Sequence, residues 1–583
     1  MLRALVLSLG VFMIGVAHAI EPPEGDDNSP CAAVDHPYDG GRVFALPGRY
    51  DQAPDENELV AERCNVETMT LAVHNAGRLT NVYGGERNLA EGDEAAVARE
   101  EAIFNALIDQ IRARADAQGS VRLLIYAHGG MVSHDNAVRD AEALAPFILK
   151  DDYTPLFLVW TSDPFSSYGN RLCCVMDGYE DTIWQGYFAP ARVFGDVVSG
   201  IGRAPETYGK QLLRFGDSLA PGVWQQDYRV SNHDFRSDRG YFERVTNCDR
   251  DSNETSEQTA EEEDSWSGAT VVLPPYCLNR LLNDANRAPG TRAIGYYANT
   301  PMRALTTWMQ GVGAGAWDNM VRRTRTAFRA SPGFAGIAQG VYEGSNCRDI
   351  THLGAVDAYR GAHRESESGA FQRFFTRLSC EMLVDPAFAA KVRVHFYGHS
   401  MGAIVGDELM RRFPELPYER IVYMGAADSI RDFSTGALPI VQARNVEFYN
   451  LSLHPMAETR ELHYGGVPPA GSLLEWIDEM FESPRSRDDR VMGKWTNIRD
   501  SYQHFAPGAM RRMTFRVFPL QENTFNDPSF ANECADMDNP SDTRQRLTRC
   551  HPLEHGEFNR YSFWRERYLV GHLHDEPLPP TPN

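Results

Sequence analysis

Val392-Arg393-Val394-His395-Phe396-Tyr397-Gly398-His399-Ser400-Met401-Gly402 is the stretch on which the reading of this chain turns. Its β-branched and aromatic residues, with apolar side chains at alternating positions, predict a strand over 392–397. Beyond the glycines, Ala403, Ile404, Val405, Leu409 and Met410 recur at helical spacing. Strand, tight turn Gly398-x-Ser400-x-Gly402 and helix succeed one another without a gap, which is the setting a nucleophile elbow requires. A serine at so sharp a turn is forced into strained backbone geometry. Only hydrogen side chains fit two residues to either side of it. Its hydroxyl then stands clear at a helix N-terminus, where free N–H groups and the helix dipole favour a developing negative charge. The pattern occurs once in 583 residues.

Working upstream, Val121 to Ala127 is an apolar run buried on both faces by its composition, and it ends at His128-Gly129-Gly130. Helices are expected at about 93–117 and 135–149, a strand near Glu67 to His74, and another buried strand at Leu156 to Trp160. Downstream, a helix at about 369–384 leads into the elbow strand. Further strands are expected at Arg420 to Gly425, Val446 to Leu453 and Met513 to Leu520, with an aromatic helix closing at about 558–570. Short apolar strands alternating with helices predict an α/β fold: a mostly parallel central sheet with flanking helices.

The alternation stops near Ser162 and resumes near Gly369. The chain therefore divides into 1–19, 20–162, an insertion at 163–368, and 369–583. The insertion reads as mainly helical, near 191–219, 276–286 and 301–329, the last interrupted by Gly311, Gly313 and Gly315. Residues 249–264 are an acidic low-complexity loop.

Residues 1–19 have the form of a signal peptide: Arg3, an apolar run from Ala4 to Val16, and the cleavage pattern Ala17-His18-Ala19. The expected location is exported, periplasmic or extracellular, with no transmembrane segment after signal removal. Ten cysteines in an exported chain predict disulfides. Local pairing suggests Cys31–Cys64, Cys248–Cys277, Cys347–Cys380 and Cys534–Cys550. The formal net charge of -23 argues against nucleic acid as a partner. No dinucleotide or phosphate-binding glycine pattern appears, so no cofactor is expected. Asp536, Asp538 and Asp542 lack the spacing of a calcium loop, and no metal is expected.

Together the elbow, the His128-Gly129-Gly130 stretch after an upstream strand, and the chain order Ser, acid, His resemble the α/β-hydrolase family over about 65–162 and 369–570. The resemblance implies a Ser-His-Asp triad. Ser400 is the nucleophile. Met401 N–H and one of Gly129 or Gly130 form the oxyanion hole. The acid comes after one of the two strands beyond the elbow strand, at Asp428, with Asp432 and Glu458 as alternatives. The histidine lies on the loop after the last strand, where His551 and His555 stand. His555 is preferred because Gly556 allows a tight turn and the next aromatics anchor the loop.

The expected activity is hydrolysis of a small-molecule or lipid carboxylic ester, of lipase or esterase type, through an acyl-enzyme. A peptidase or acyltransferase on the same triad, or a catalytically inactive binding module, are the alternatives. The insertion is expected to cover the active-site mouth, with Trp308, Met309, Val312, Trp317 and Met320 lining an acyl pocket.

Overall fold

The computed structural model describes, with short gaps, residues 66–82, 94–180, 189–219, 270–272, 307–329, 368–518 and 551–569. The expected signal peptide, the acidic stretch 249–264, the 276–286 segment, the Asp536–Asp542 group and all cysteines but Cys173 and Cys380 lie outside these residues. Cys380 is buried and disulfide-bonded.

Eight strands form one sheet: β1 (Thr70–Val73), β2 (Val121–Ala127), β3 (Tyr153–Trp160), β4 (Thr270–Val272), β5 (Val392–His399), β6 (Tyr418–Met424), β7 (Glu447–Ser452) and β8 (Met513–Val517). Their spatial order is β1-β3-β2-β5-β6-β7-β8-β4, and every pair is parallel. The chain is thus of α/β class. The period-two alternation divides β2 between two cores, Leu123, Ile125 and Ala127 facing one and Leu124 and Tyr126 the other. This two-sided burial accounts for the near-continuous apolar runs in the sequence.

From β2 the chain steps one way, to β3, which lies between β2 and β1; from β5 it builds the other way, through β6 and β7 to β8. The order reverses between β2 and β5, which pair in register with Ala127 opposite Gly398. A crevice at the carboxyl ends of two such strands is where α/β sheets place their sites. His128-Gly129-Gly130 and the Ser400 turn emerge there side by side.

The helices include α1 (Glu94–Gln118), α2 (His134–Lys150), α3 (Pro164–Cys173), α4 (Ala189–Leu219), α5 (Thr307–Ala327), α6 (Ala370–Val384), α7 (Pro386–Lys391) and α8 (Gly402–Arg412), of which α4 packs on α5. Three features differ from the sequence reading. First, α5 runs unbroken through Gly311, Gly313 and Gly315. A Cβ on these residues would meet the Asp196 carbonyl, the Phe481 ring and the Arg171 guanidinium respectively, so the glycines serve close packing and not a break. Second, residues 270–272 of the insertion add an edge strand beside β8. Third, a short 3₁₀ helix at His555–Arg560 followed by irregular chain at 561–565 stands where the sequence reading began its closing helix. Phe558, Tyr561, Phe563 and Trp564 are all buried, and their spacing does not match one helical face.

Candidate active site

Ser400 leaves the sheet with φ of 50°, one of three non-glycine residues with positive φ among the described residues. Such a conformation costs an L-residue about 1–2 kcal/mol and is held only where surroundings over-determine it. Here they do. Ser400 N–H donates to the Met424 carbonyl at 2.8 Å, and its own carbonyl accepts from Ala403 and Ala427 N–H groups. A Cβ on Gly398 would fall 2.9 Å from the Ala403 nitrogen, and one on Gly402 would fall 2.2 Å from the Ala127 carbonyl oxygen. Both glycines are therefore sterically required, the second because α8 starts directly against β2.

The imidazole of His555 stands at the hydroxyl, with Nε2 2.8 Å from Ser400 Oγ. Both residues are buried, Ser400 to 1% exposure. His555 opens the 3₁₀ turn after a reciprocal capping box between Glu554 and Glu557, which fixes the entry of the loop. Gly425, at φ of 52° after β6, passes beneath the ring; a Cβ there would sit 2.9 Å from His555 Nδ1. Of the two histidines on this loop, His551 instead stacks on Phe518, with centroids 6.2 Å apart.

The His555 backbone is held at both ends. Its N–H donates to Glu461 Oε2 at 2.8 Å, and its carbonyl oxygen lies 3.0 Å from His399 Nε2. Glu461 is buried, and burial with the nearby Glu458 pushes its carboxyl well above the usual carboxylate range, partly offset by the His555 N–H.

Asp428 is placed elsewhere. Neither of its carboxyl oxygens bonds to His555. The group faces Asp407 of α8, and burial, Asp407 and Asp432 together hold it well above the usual range. Asp432 bonds to Ser429 at the start of the helix Ile430–Thr435 and faces Arg411 and Arg325. Glu458 is buried against the Ser472 hydroxyl. Glu461, which has no sequence motif around it, is the carboxylate that bonds to His555, through the backbone N–H.

On the other side of the elbow, Gly129 and Gly130 lie against it. A Cβ on Gly129 would meet His399 Nδ1 at 2.8 Å and Ser400 Cβ at 3.4 Å; one on Gly130 would meet Met320 Cε at 3.3 Å and Met401 Cβ at 3.4 Å. The Gly129 carbonyl is bonded from behind, by His128 Nδ1 at 2.7 Å and Ser162 Oγ at 3.2 Å. His128 Nε2 accepts the Trp160 N–H at 3.1 Å, so the proton is on Nδ1. Burial lowers the pKa of His128 to about 4, and the ring stays neutral in this tautomer. In a trans peptide the N–H points opposite to the carbonyl. The Gly130 N–H is thereby turned away from His128 and Ser162.

Helix α5 of the insertion packs over this corner. Arg323 donates to the Thr161 carbonyl and Ser167 Oγ, and Asn319 donates to the Ser167 carbonyl. Met320 touches Gly130. Trp317 and Val321 help line a cavity of about 530 Å³ with Ile404, Ala427, Arg171 and Asp432. Trp308 and Met309 have side chains outside the described residues, and Val312 is half-buried. Among the described residues no group of three or more His, Cys, Asp or Glu is placed to hold a metal ion, and no helix is long and apolar enough to cross a membrane.

Comparison of the chain with protein-family models, with curated proteins and with solved structures finds no match. Its function is therefore read from the fold class and the geometry of the site.

Proposed function

We propose that this chain is an exported serine hydrolase of the α/β-hydrolase type that cleaves carboxylic esters through an acyl-enzyme. The observation that carries the reading is the 2.8 Å contact between His555 Nε2 and Ser400 Oγ, made at a serine held with positive φ between a parallel strand and a helix. A serine held at positive φ beside a buried imidazole carries a conformational cost that glycine would avoid, and an activated nucleophile accounts for it.

The serine hydroxyl donates to Nε2, so the neutral ring carries its proton on Nδ1. As Ser400 Oγ attacks the ester carbonyl carbon, its proton passes to Nε2. The carbonyl electron pair moves to oxygen, where the N–H groups of Met401 and Gly130 meet it; one such donor is worth about 3–4 kcal/mol. The C–O bond to the alcohol then breaks, and the alcohol leaves with the proton from Nε2. Water attacks the acyl-enzyme by the same route in reverse, releasing the acid and restoring Ser400.

Among the described carboxylates, Glu461 is our candidate for the supporting acid. Glu461 is bonded to the His555 backbone and comes after β7, the second strand beyond the elbow strand. When the imidazolium forms, the Glu461 carboxylate offsets its charge. Because burial raises the carboxyl's proton affinity, turnover should fall as pH drops through that raised value, placing the optimum on the neutral-to-alkaline side.

Cys380 in a disulfide supports an oxidising compartment. The test is labelling with a fluorophosphonate probe. The chain should label at Ser400, Ser400→Ala and His555→Ala should not label, and His551→Ala should retain labelling. A folded Ser400→Ala variant that labels as fast as the unsubstituted chain sinks the reading.

A further inference from the structure

We propose that His399, the residue before the nucleophile, is a positioning residue that holds the general base and the oxyanion loop in fixed relation to each other. The inference rests on the serine-hydrolase reading. The His399 ring is buried between three parts of the site. On one side its Nε2 lies 3.0 Å from the backbone carbonyl oxygen of His555. A carbonyl only accepts, so Nε2 carries the proton and Nδ1 is bare. On the other side Nδ1 faces Gly129, where a Cβ would come within 2.8 Å of it. The ring also lies beside the His555 and Phe558 rings, at centroid distances of 5.3 and 6.1 Å.

One covalent step separates His399 from Ser400. A single rigid side chain thus ties the nucleophile's own turn to the backbone of the base, 156 residues away, and to the loop that supplies the oxyanion donors. Burial lowers the pKa of His399 to about 4, so the donor tautomer persists at neutral pH. With Glu461 on its N–H and His399 on its carbonyl, the backbone of His555 is fixed from both ends. Only its side-chain torsions remain to set the reach to Oγ. An apolar residue at 399 fills the same volume but leaves that carbonyl without the donor. The base then shifts relative to Ser400, and a misplacement near 1 Å costs on the order of 100-fold in rate.

The test uses the full chain with three substitutions. His399→Phe keeps the bulk and removes the donor. His399→Gln puts an amide donor near the position of Nε2. His399→Asn retracts that donor by one methylene and serves should the Phe variant not fold. Two measurements are made on folded protein: steady-state kinetics with a p-nitrophenyl ester alongside fluorophosphonate labelling rates, and hydrogen–deuterium exchange of the peptide spanning 553–558. His399→Phe and His399→Asn should lower kcat and the labelling rate about 10- to 100-fold, leave KM within about twofold, and speed exchange over 553–558. His399→Gln should recover most of the rate and the slow exchange. Phe or Asn variants that label as fast as the unsubstituted chain overturn the inference, as does a Gln variant no better than Phe. If the unsubstituted chain does not label at Ser400, the hydrolase reading falls, and unchanged exchange over 553–558 in His399→Phe then separately refutes the clamp.

Discussion

Gly425→Ala tests whether the imidazole of His555, the proposed general base, is positioned by the backbone beneath it. Two effects add. Gly425 has φ of 52°, so any L-side chain there costs about 1–2 kcal/mol of stability. The new Cβ also falls 2.9 Å from His555 Nδ1 and 3.0 Å from Cε1, and 3.2 Å from Phe558 Cε2. Ordinary contact needs about 3.5 Å, so ring and loop must retreat by roughly half an ångström. The Ser400–His555 hydrogen bond, 2.8 Å long, lies at the other end of the same ring. Since a 1 Å misplacement costs about 100-fold, half of it should cost about tenfold in kcat, with little change in KM. Urea denaturation measures the first effect and fluorophosphonate labelling per folded molecule the second. A variant that loses stability but labels at the unsubstituted rate would show that Gly425 relieves strain only, and that the ring is placed from elsewhere.

Ser400→Gly and Ser400→Ala should both abolish hydrolysis and both lose the bond to His555, but the glycine variant should be the more stable by about 1 kcal/mol, because glycine adopts the positive φ without penalty; equal stability in urea denaturation would deny that the elbow is strained. Burial pushes the Glu458 carboxyl up to about 7, Glu475 adds to the push, and Ser472 and Lys494 pull back. The folded chain therefore keeps a proton that the unfolded chain has released above about pH 4.5, so stability should fall as pH rises from there to 7. At 1.4 kcal/mol per tenfold in proton affinity, this one group contributes about 3 kcal/mol of that loss. Glu458→Gln should flatten the slope by a similar amount, and an unaltered denaturation profile between pH 5 and 8 refutes the assignment. Met320→Ala removes the side chain against Gly130 and should alter the preference for acyl chain length on p-nitrophenyl esters, whereas Trp317→Ala, which also breaks the bond to Glu482, should chiefly lower stability. Identical chain-length profiles for Met320→Ala and the unsubstituted chain would remove α5 from the substrate path.

The elements legible in the sequence were those whose causes are local. The alternation in 392–397, the helical spacing after Gly402 and the steric demand for Gly398 and Gly402 all act within a few residues. So the strands, the parallel α/β class and the place of Ser400 on its turn come from the sequence read a dozen residues at a time. His555 is reached through the family resemblance, which asks for a histidine on the loop after the last strand, where His551 and His555 stand.

What no such window contains is which groups meet across the fold. Glu461 and His555 are 94 residues apart and His399 and His555 are 156 apart. No periodicity links them, and only the convergence of the β5, β6 and β7 ends with the 551–561 loop makes them neighbours. Asp428 stands at a suitable place in the chain, yet its carboxyl faces Asp407 on α8, an outcome set by how the loop after β6 packs and not by its position in sequence. The glycines of α5 likewise read as a break from sequence alone. Packing makes them points of close approach, since a hydrogen side chain lets the Asp196 backbone, Phe481 and Arg171 come where no other residue would.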